Sequence, residues 1–162
     1  RAFPTITDLI SGVVYTTPDR SADALPTGER YAISVAGNGA LGPLALNVQA
    51  PPKLDGVTVA GIALAELRSL ATTRPIEISW AAGAANDVVV AEFARLDGSA
   101  GTLCTFRDDA GRATLPAGIL EAQGAGGLVI HRVSSHTFAK PGIDHGELRF
   151  DFALRASLTF VR

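Results

Sequence analysis

The chain of 162 residues has no methionine, one cysteine (Cys104), one tryptophan (Trp80) and two lysines (Lys53 and Lys140). One cysteine cannot close an internal disulfide, and on its own it does not decide the compartment. A net charge of −2, with acids and bases interspersed, gives no electrostatic case for nucleic acid, which requires a strongly basic face. The same lack of a basic run leaves polybasic attraction to a membrane surface without support. No stretch reaches the roughly 18 apolar residues of a membrane-spanning helix. The opening Arg1-Ala2-Phe3-Pro4 carries no apolar signal-peptide core. The missing methionine includes position 1, so we expect a processed or excised piece of a longer product. The basic residues are 12 Arg against 2 Lys beside 27 Ala, a bias of a GC-rich coding sequence that says nothing about mechanism.

What is present suits a globular chain. Hydrophobic residues make up 47% and charged residues 19%, too apolar for disorder. The 17 Gly and 9 Pro fall between short runs of alternating character, the signature of strands separated by turns. Gly12–Thr17 is β-branched and aromatic. Arg30–Ala36 alternates, with Tyr31, Ile33 and Val35 on one side, and Leu44, Leu46 and Val48 alternate again up to Pro51-Pro52. These two runs read as a hairpin with a longish loop. Asp55–Ala60 reads as a short strand. Ala63–Leu70 is the best helix candidate, with Leu64, Leu67 and Leu70 on neighbouring faces, although it spans only about two turns. Ile76–Trp80 has a clean period of two. Val88–Leu96 follows, with Val89, Ala91 and Phe93 opposing Val88, Val90 and Glu92, and pairs back with Thr102–Phe106 across the turn at Asp97–Gly101.

After the turn Asp108–Gly111, Arg112–Leu115 is extended. Pro116 is placed to open a small helix over Ala117–Gln123, closed by Gly124. Leu128–Val133 is a strand. The strongest signal is C-terminal: Leu148, Phe150, Phe152, Leu154, Ala156, Leu158 and Phe160 alternate with mostly polar residues. At about 3.3 Å per residue this run extends about 43 Å. It is either one long bent strand or two strands joined through a bulge near Ala153–Ala156. The tally of strands predicts an all-β fold, an antiparallel β-sandwich of immunoglobulin-like or jelly-roll-like type, with one or two short helices. We read residues 1–162 as a single domain, with soft places for a boundary at Asp19–Glu29 and at Ala50–Lys53, where the two prolines suit a swivel.

The chemical motifs each have a simpler reading. Gly37-Asn38-Gly39-Ala40-Leu41-Gly42 fits G-x-G-x-x-G, but a dinucleotide site needs a following helix, and an alternating strand follows instead. A hairpin turn is the better reading. Trp80 and Cys104, expected on paired strands, suggest an immunoglobulin-like core without the second cysteine; Cys104 reads as a small core hydrophobe. Ser134-Ser135-His136 puts serine beside histidine, but adjacency is not a triad, and no G-x-S-x-G elbow is present. The candidate metal ligands are Asp108, Asp109, His136 and His145. The two histidines lie with Asp144 and Glu147 in what reads as one loop, where they can converge, although solvated loop histidines, His131 included, are the simpler reading. Turns at Asp87, Asp97 and Asp108-Asp109 offer oxygen ligands suited to Ca²⁺, at spacings unlike an EF-hand; turn-forming Asp is the simpler reading. The ten aromatics (seven Phe, two Tyr, one Trp) lie mostly at core phase, which gives little support to a sugar-stacking platform.

Ile76-Glu77-Ile78-Ser79-Trp80, Asn86-Asp87-Val88-Val89-Val90, Leu103-Cys104-Thr105-Phe106, Asp108-Asp109-Ala110-Gly111 and Leu115-Pro116-Ala117 together outline a recognisable domain. The segment resembles uncharacterised secreted or lipoprotein β-sandwich domains of myxobacteria and related Gram-negative bacteria, and Gly42–Pro52 fits the same outline. The resemblance covers about two-thirds of the chain. It implies an envelope or extracellular location and transfers no catalytic residue. The resulting expectation is a non-enzymatic β-sandwich module without a cofactor. It works through a surface, binding a protein partner or forming part of a surface assembly, with strand addition at Ser157–Arg162 as the route if that terminal strand lies on an edge. The alternative is a Ca²⁺- or carbohydrate-binding β-sandwich.

Overall fold

In the computed structural model the described residues are 5–8, 12–15, 26–37, 42–96, 101–120 and 123–162. In chain order their strands are β1 (Thr5–Asp8), β2 (Gly12–Tyr15), β3 (Arg30–Val35), β4 (Leu44–Gln49), β5 (Thr58–Val59), β6 (Ile62–Ala63) and β7 (Ser69–Ala71). They continue as β8 (Ile76–Ser79), β9 (Val88–Arg95), β10 (Thr102–Arg107), β11 (Arg112–Leu115), β12 (Gly124–Lys140) and β13 (Ile143–Val161). Five of them form a sheet in the order β10-β9-β12-β13-β7, and four form a sheet in the order β11-β8-β5-β6. β1–β2 and β3–β4 are separate antiparallel hairpins.

The two larger sheets pack face to face, because their alternating residues turn one apolar face each inward. Val89, Ala91 and Phe93 of β9, Leu128 and Ile130 of β12 and Leu158 and Phe160 of β13 supply one side. Val59, Ile76, Ile78, Trp80 and Leu115 supply the other, with Leu54, Leu64, Leu67 and Leu70 sealing the flank. The fold is all-β and sandwich-like, as the pattern of short strands and turns predicts.

The helix expected over Ala63–Leu70 does not form. Leu64–Glu66 makes a single 3₁₀ turn, and Ser69–Ala71 then lies parallel to β13 as β7. Two turns are too short to hold a helix by themselves. The extended path still buries Leu64, Leu67 and Leu70, and adds the backbone bonds Thr159 N–H to Arg68 C=O (2.9 Å) and Thr72 N–H to Val161 C=O (2.8 Å). The helix expected from Ala117 is also absent over its described residues. Gly118 sits at φ +75°, outside helical space, and its N–H bonds the Thr72 carbonyl at 3.0 Å. Gly124 opens β12 instead of closing a helix.

The C-terminal run is one uninterrupted strand. Its register with β12 is continuous from Gly124↔Phe160 to Phe138↔Gly146, and the only irregularity falls between Phe138 and Lys140, not near Ala153–Ala156. Gly37-to-Gly42 lies between two strands that pair Val35↔Leu44, so it connects a hairpin; positions 38–41 lie outside the described residues, as does the turn at Asp97. Trp80 and Cys104 are not on paired strands. Trp80 follows β8 in the smaller sheet and Cys104 lies on β10 in the larger, so they face the same core from opposite layers.

Candidate interaction edge

β12 alternates Leu128, Ile130, Arg132 onto its inner face, so its period of two drives a guanidinium into the protein. Arg132 is 1% exposed and its partner Asp108 is 0% exposed. Arg132 Nη2 donates to Asp108 Oδ1 at 2.9 Å. Arg132 Nε lies 2.8 Å from Oδ2, off the line of a hydrogen bond, so that contact is ionic. Nη1 donates to the carbonyls of Pro52 (3.1 Å) and Lys53 (2.9 Å), and Nη2 also to that of Ala81. Trp80 Nε1 donates to the Asp108 carbonyl at 2.9 Å. Gly83 roofs the pair: a Cβ there would overlap the Asp108 carboxylate. A buried pair is costly unless its remaining groups are met; here the Pro52, Lys53 and Ala81 carbonyls take the Nη donors, while Nε and Asp108 Oδ2 have only their ionic contact with each other.

This knot holds the crossing from β4 to β5. Ala50 and Pro51 are buried and the next two carbonyls are held by Arg132. The crossing brings hairpin β3–β4 against the far half of β12–β13. The Tyr31 ring lies 5.4 Å from that of Phe150, and His136 Nε2 lies 3.1 Å from the Gln49 carbonyl, to which it must donate.

Among the described residues the same arrangement leaves most of one edge of β13 unpaired. β7 covers β13 only at Thr159–Val161. The bonds of Thr159 N–H and Val161 C=O toward β7 set the phase: odd-numbered residues of β13 direct their backbone groups to that side, and even-numbered residues direct theirs to β12. Among the described residues no strand pairs with β13 on the β7 side before Thr159. The N–H and C=O groups of Arg149, Asp151, Ala153, Arg155 and Ser157 therefore face outward. A groove of about 590 Å³ runs beside this edge, between Asp151–Leu154 on one wall and Pro26, Thr27, Lys53 and Leu54 on the other. Phe152, Leu154 and Ala156 on the inner face are only half-buried. On the outer face, His131 Nδ1 donates to Asp151 Oδ1 at 2.8 Å, Glu92 Oε2 lies 3.7 Å from His131 Nε2, and Arg149 stands 3.6 Å from Asp151 Oδ2.

The candidate ligands read from the sequence are not brought together. Asp108 is sealed against Arg132. Asp109 is bound by Arg107 at 2.6 Å, and that carboxylate, by hydrogen bond and charge, raises the Arg107 pKa. His136 and His145 are on strands rather than in a loop. Alternation puts His136 on the inner face of the hairpin, opposite Leu148, and His145 on the outer face. Among the described residues no group of three or more His, Cys, Asp or Glu side chains is arranged to hold a metal ion. His131 is on a strand, hydrogen-bonded to Asp151, and Cys104 packs against the core with its thiol pKa pushed up by burial. Among the described residues no helix is long and apolar enough to cross a membrane. No protein-family model and no curated protein matches the chain.

Proposed function

We propose that this chain is a non-catalytic β-sandwich module of the bacterial envelope or exterior that acts through protein–protein contact along the open edge of β13. One observation carries the reading: the outward N–H and C=O groups of residues 149–157 border a groove whose walls include Phe152, Leu154 and Leu54. An added strand gains backbone hydrogen bonds on one side and apolar pockets for alternate side chains on the other. The proposed location follows from the resemblance to secreted and lipoprotein domains. The terminal Thr159–Val161 is occupied by β7, so the edge offered to a partner lies upstream of the C-terminal residues first expected to serve.

A photo-cross-linking amino acid at Ser157, in the full-length protein in its native host, tests this reading. Ser157 should yield a discrete adduct, and Ala153→Pro should abolish it. Among the described residues the Ala153 N–H has no partner, so proline is tolerable there in the fold yet blocks strand addition. Adduct formation indifferent to Ala153→Pro would overturn the proposal.

A further inference from the structure

The partner at this edge is a second copy of the chain: we infer that two β13 strands pair antiparallel about a two-fold axis at Ala153. The inference rests on the edge-contact reading above and adds the identity of the partner and the register.

The argument starts from the order of side chains. Residues 151–155 read Asp-Phe-Ala-Leu-Arg. Reversed against itself about Ala153, this segment sets Asp151 opposite the other copy's Arg155, and Arg155 opposite its Asp151. Phe152 meets Leu154 and Phe150 meets Ala156 on the inner face, while Arg149 meets Ser157 on the outer. Each opposed odd pair also exchanges two N–H···O bonds, because both members direct their backbone groups to the edge. The interface is isologous, as a two-fold contact requires.

The neighbouring registers within the groove are worse. An axis at Asp151 sets that carboxylate against itself. An axis at Phe152 sets Arg149 against Arg155. An axis at Leu154 leaves Asp151 opposite Ser157 and its charge unmatched. Directly opposed like charges destabilise a strand pair, and opposite charges stabilise it. Only the Ala153 axis of these four pairs both charges favourably. The Asp151 side chain remains 41% exposed despite its contact with His131, so it is available to a second cation.

The limits of the contact are built in as well. β7 occupies Thr159–Val161 on each copy, so pairing stops after Ser157 at one end and, by symmetry, before Arg149 at the other. The joined sheets would run β10-β9-β12-β13 into the second copy's β13-β12-β9-β10. The competing edge, β10, offers only Thr102–Arg107 before the chain turns at Asp108.

Sedimentation velocity on the full chain over a dilution series tests the inference. The wild type should dissociate as a dimer. Arg155→Asp, at an exposed position, sets four carboxylates against each other and should weaken the dimer by about tenfold or more. The swap Asp151→Arg with Arg155→Asp restores both pairings and should recover dimerisation; circular dichroism on each variant confirms the fold. A wild type that stays monomeric throughout, or a dimer unmoved by Arg155→Asp, overturns the inference. A monomeric wild type that still forms the Ala153-dependent adduct at Ser157 would leave edge contact standing with a different partner, so the two failures are distinguishable.

Discussion

The two halves of the long hairpin share one sequence pattern and differ in what lies across from them. From Gly126 to Val133, β12 has β9 on one side and β13 on the other, and its inner residues Leu128 and Ile130 are fully sealed by the second sheet. From Ser134 onward, among the described residues, β13 alone pairs with it, the facing layer is the two-stranded β3–β4, and His136 and Leu148 are half-buried. Arg132 stands at the border. Alternation specifies a strand and its faces; the thickness of the protein above each face is set by elements far away in the chain. The knot at Arg132 is where the facing layer changes hands, since its donors hold both Ala81, after β8, and the Pro52–Lys53 crossing out of β4.

The comparison breaks most severely if the knot is cut. Arg132→Met leaves the Asp108 carboxylate buried without a countercharge and frees three carbonyls, and should cost about 3–5 kcal/mol in chemical denaturation. Gly83→Ala attacks the same pair from above, since the new methyl group overlaps Asp108, and should destabilise in the same direction. Combining Arg132→Met with Asp108→Leu should recover much of the loss, because the double variant buries no lone charge. Losses that simply add would show that the carbonyl contacts, and not the ion pair, dominate.

The border was partly legible in the sequence. The phase of Leu128 and Ile130 already carries Arg132 inward, and an inward arginine demands an acidic partner. Nothing local to β12 says that the partner is Asp108, because that choice depends on how the two sheets face each other. The hairpins β3–β4 and β9–β10 were legible for the opposite reason, since their partners are neighbours in sequence and their faces alternate. The helix expected over Ala63–Leu70 does not form because leucines three apart serve a 3₁₀ turn followed by an extended segment as well as they serve a helix. The open edge of β13 was not legible in place, because strand order within a sheet leaves no local mark.

Truncation sharpens the comparison directly. Leu128→Ala, in the sealed half, should cost about 3 kcal/mol, within the range for buried leucines. Leu148→Ala, at the same phase in the distal half, should cost less, about 1 kcal/mol, because part of its side chain is already in water and its cover is thinner. Equal losses would mean that hairpin β3–β4 covers the distal half as fully as the second sheet covers the other. Trp80→Phe keeps the ring against Phe106 (centroids 6.0 Å apart) but deletes the donor to the buried Asp108 carbonyl, and should cost about 1–2 kcal/mol.

The smallest effect belongs to Cys104, on the edge strand farthest from β7. Burial raises its thiol pKa above the ordinary value of 9.0. The folded protein therefore holds this proton to higher pH than the unfolded chain does. Where the unfolded thiol ionises and the folded one does not, the folded state binds more protons, so stability falls as pH rises. The loss should begin near the ordinary thiol value and level off once the raised folded value is passed. Cys104→Ser should flatten that part of the pH profile. In the wild type at neutral pH, iodoacetamide should modify Cys104 more slowly than it modifies the denatured chain, since the thiolate is the reactive form. A folded-state rate equal to the unfolded one would place this thiol outside the core layer and move the limit of the sealed region inward, from β10 to β9.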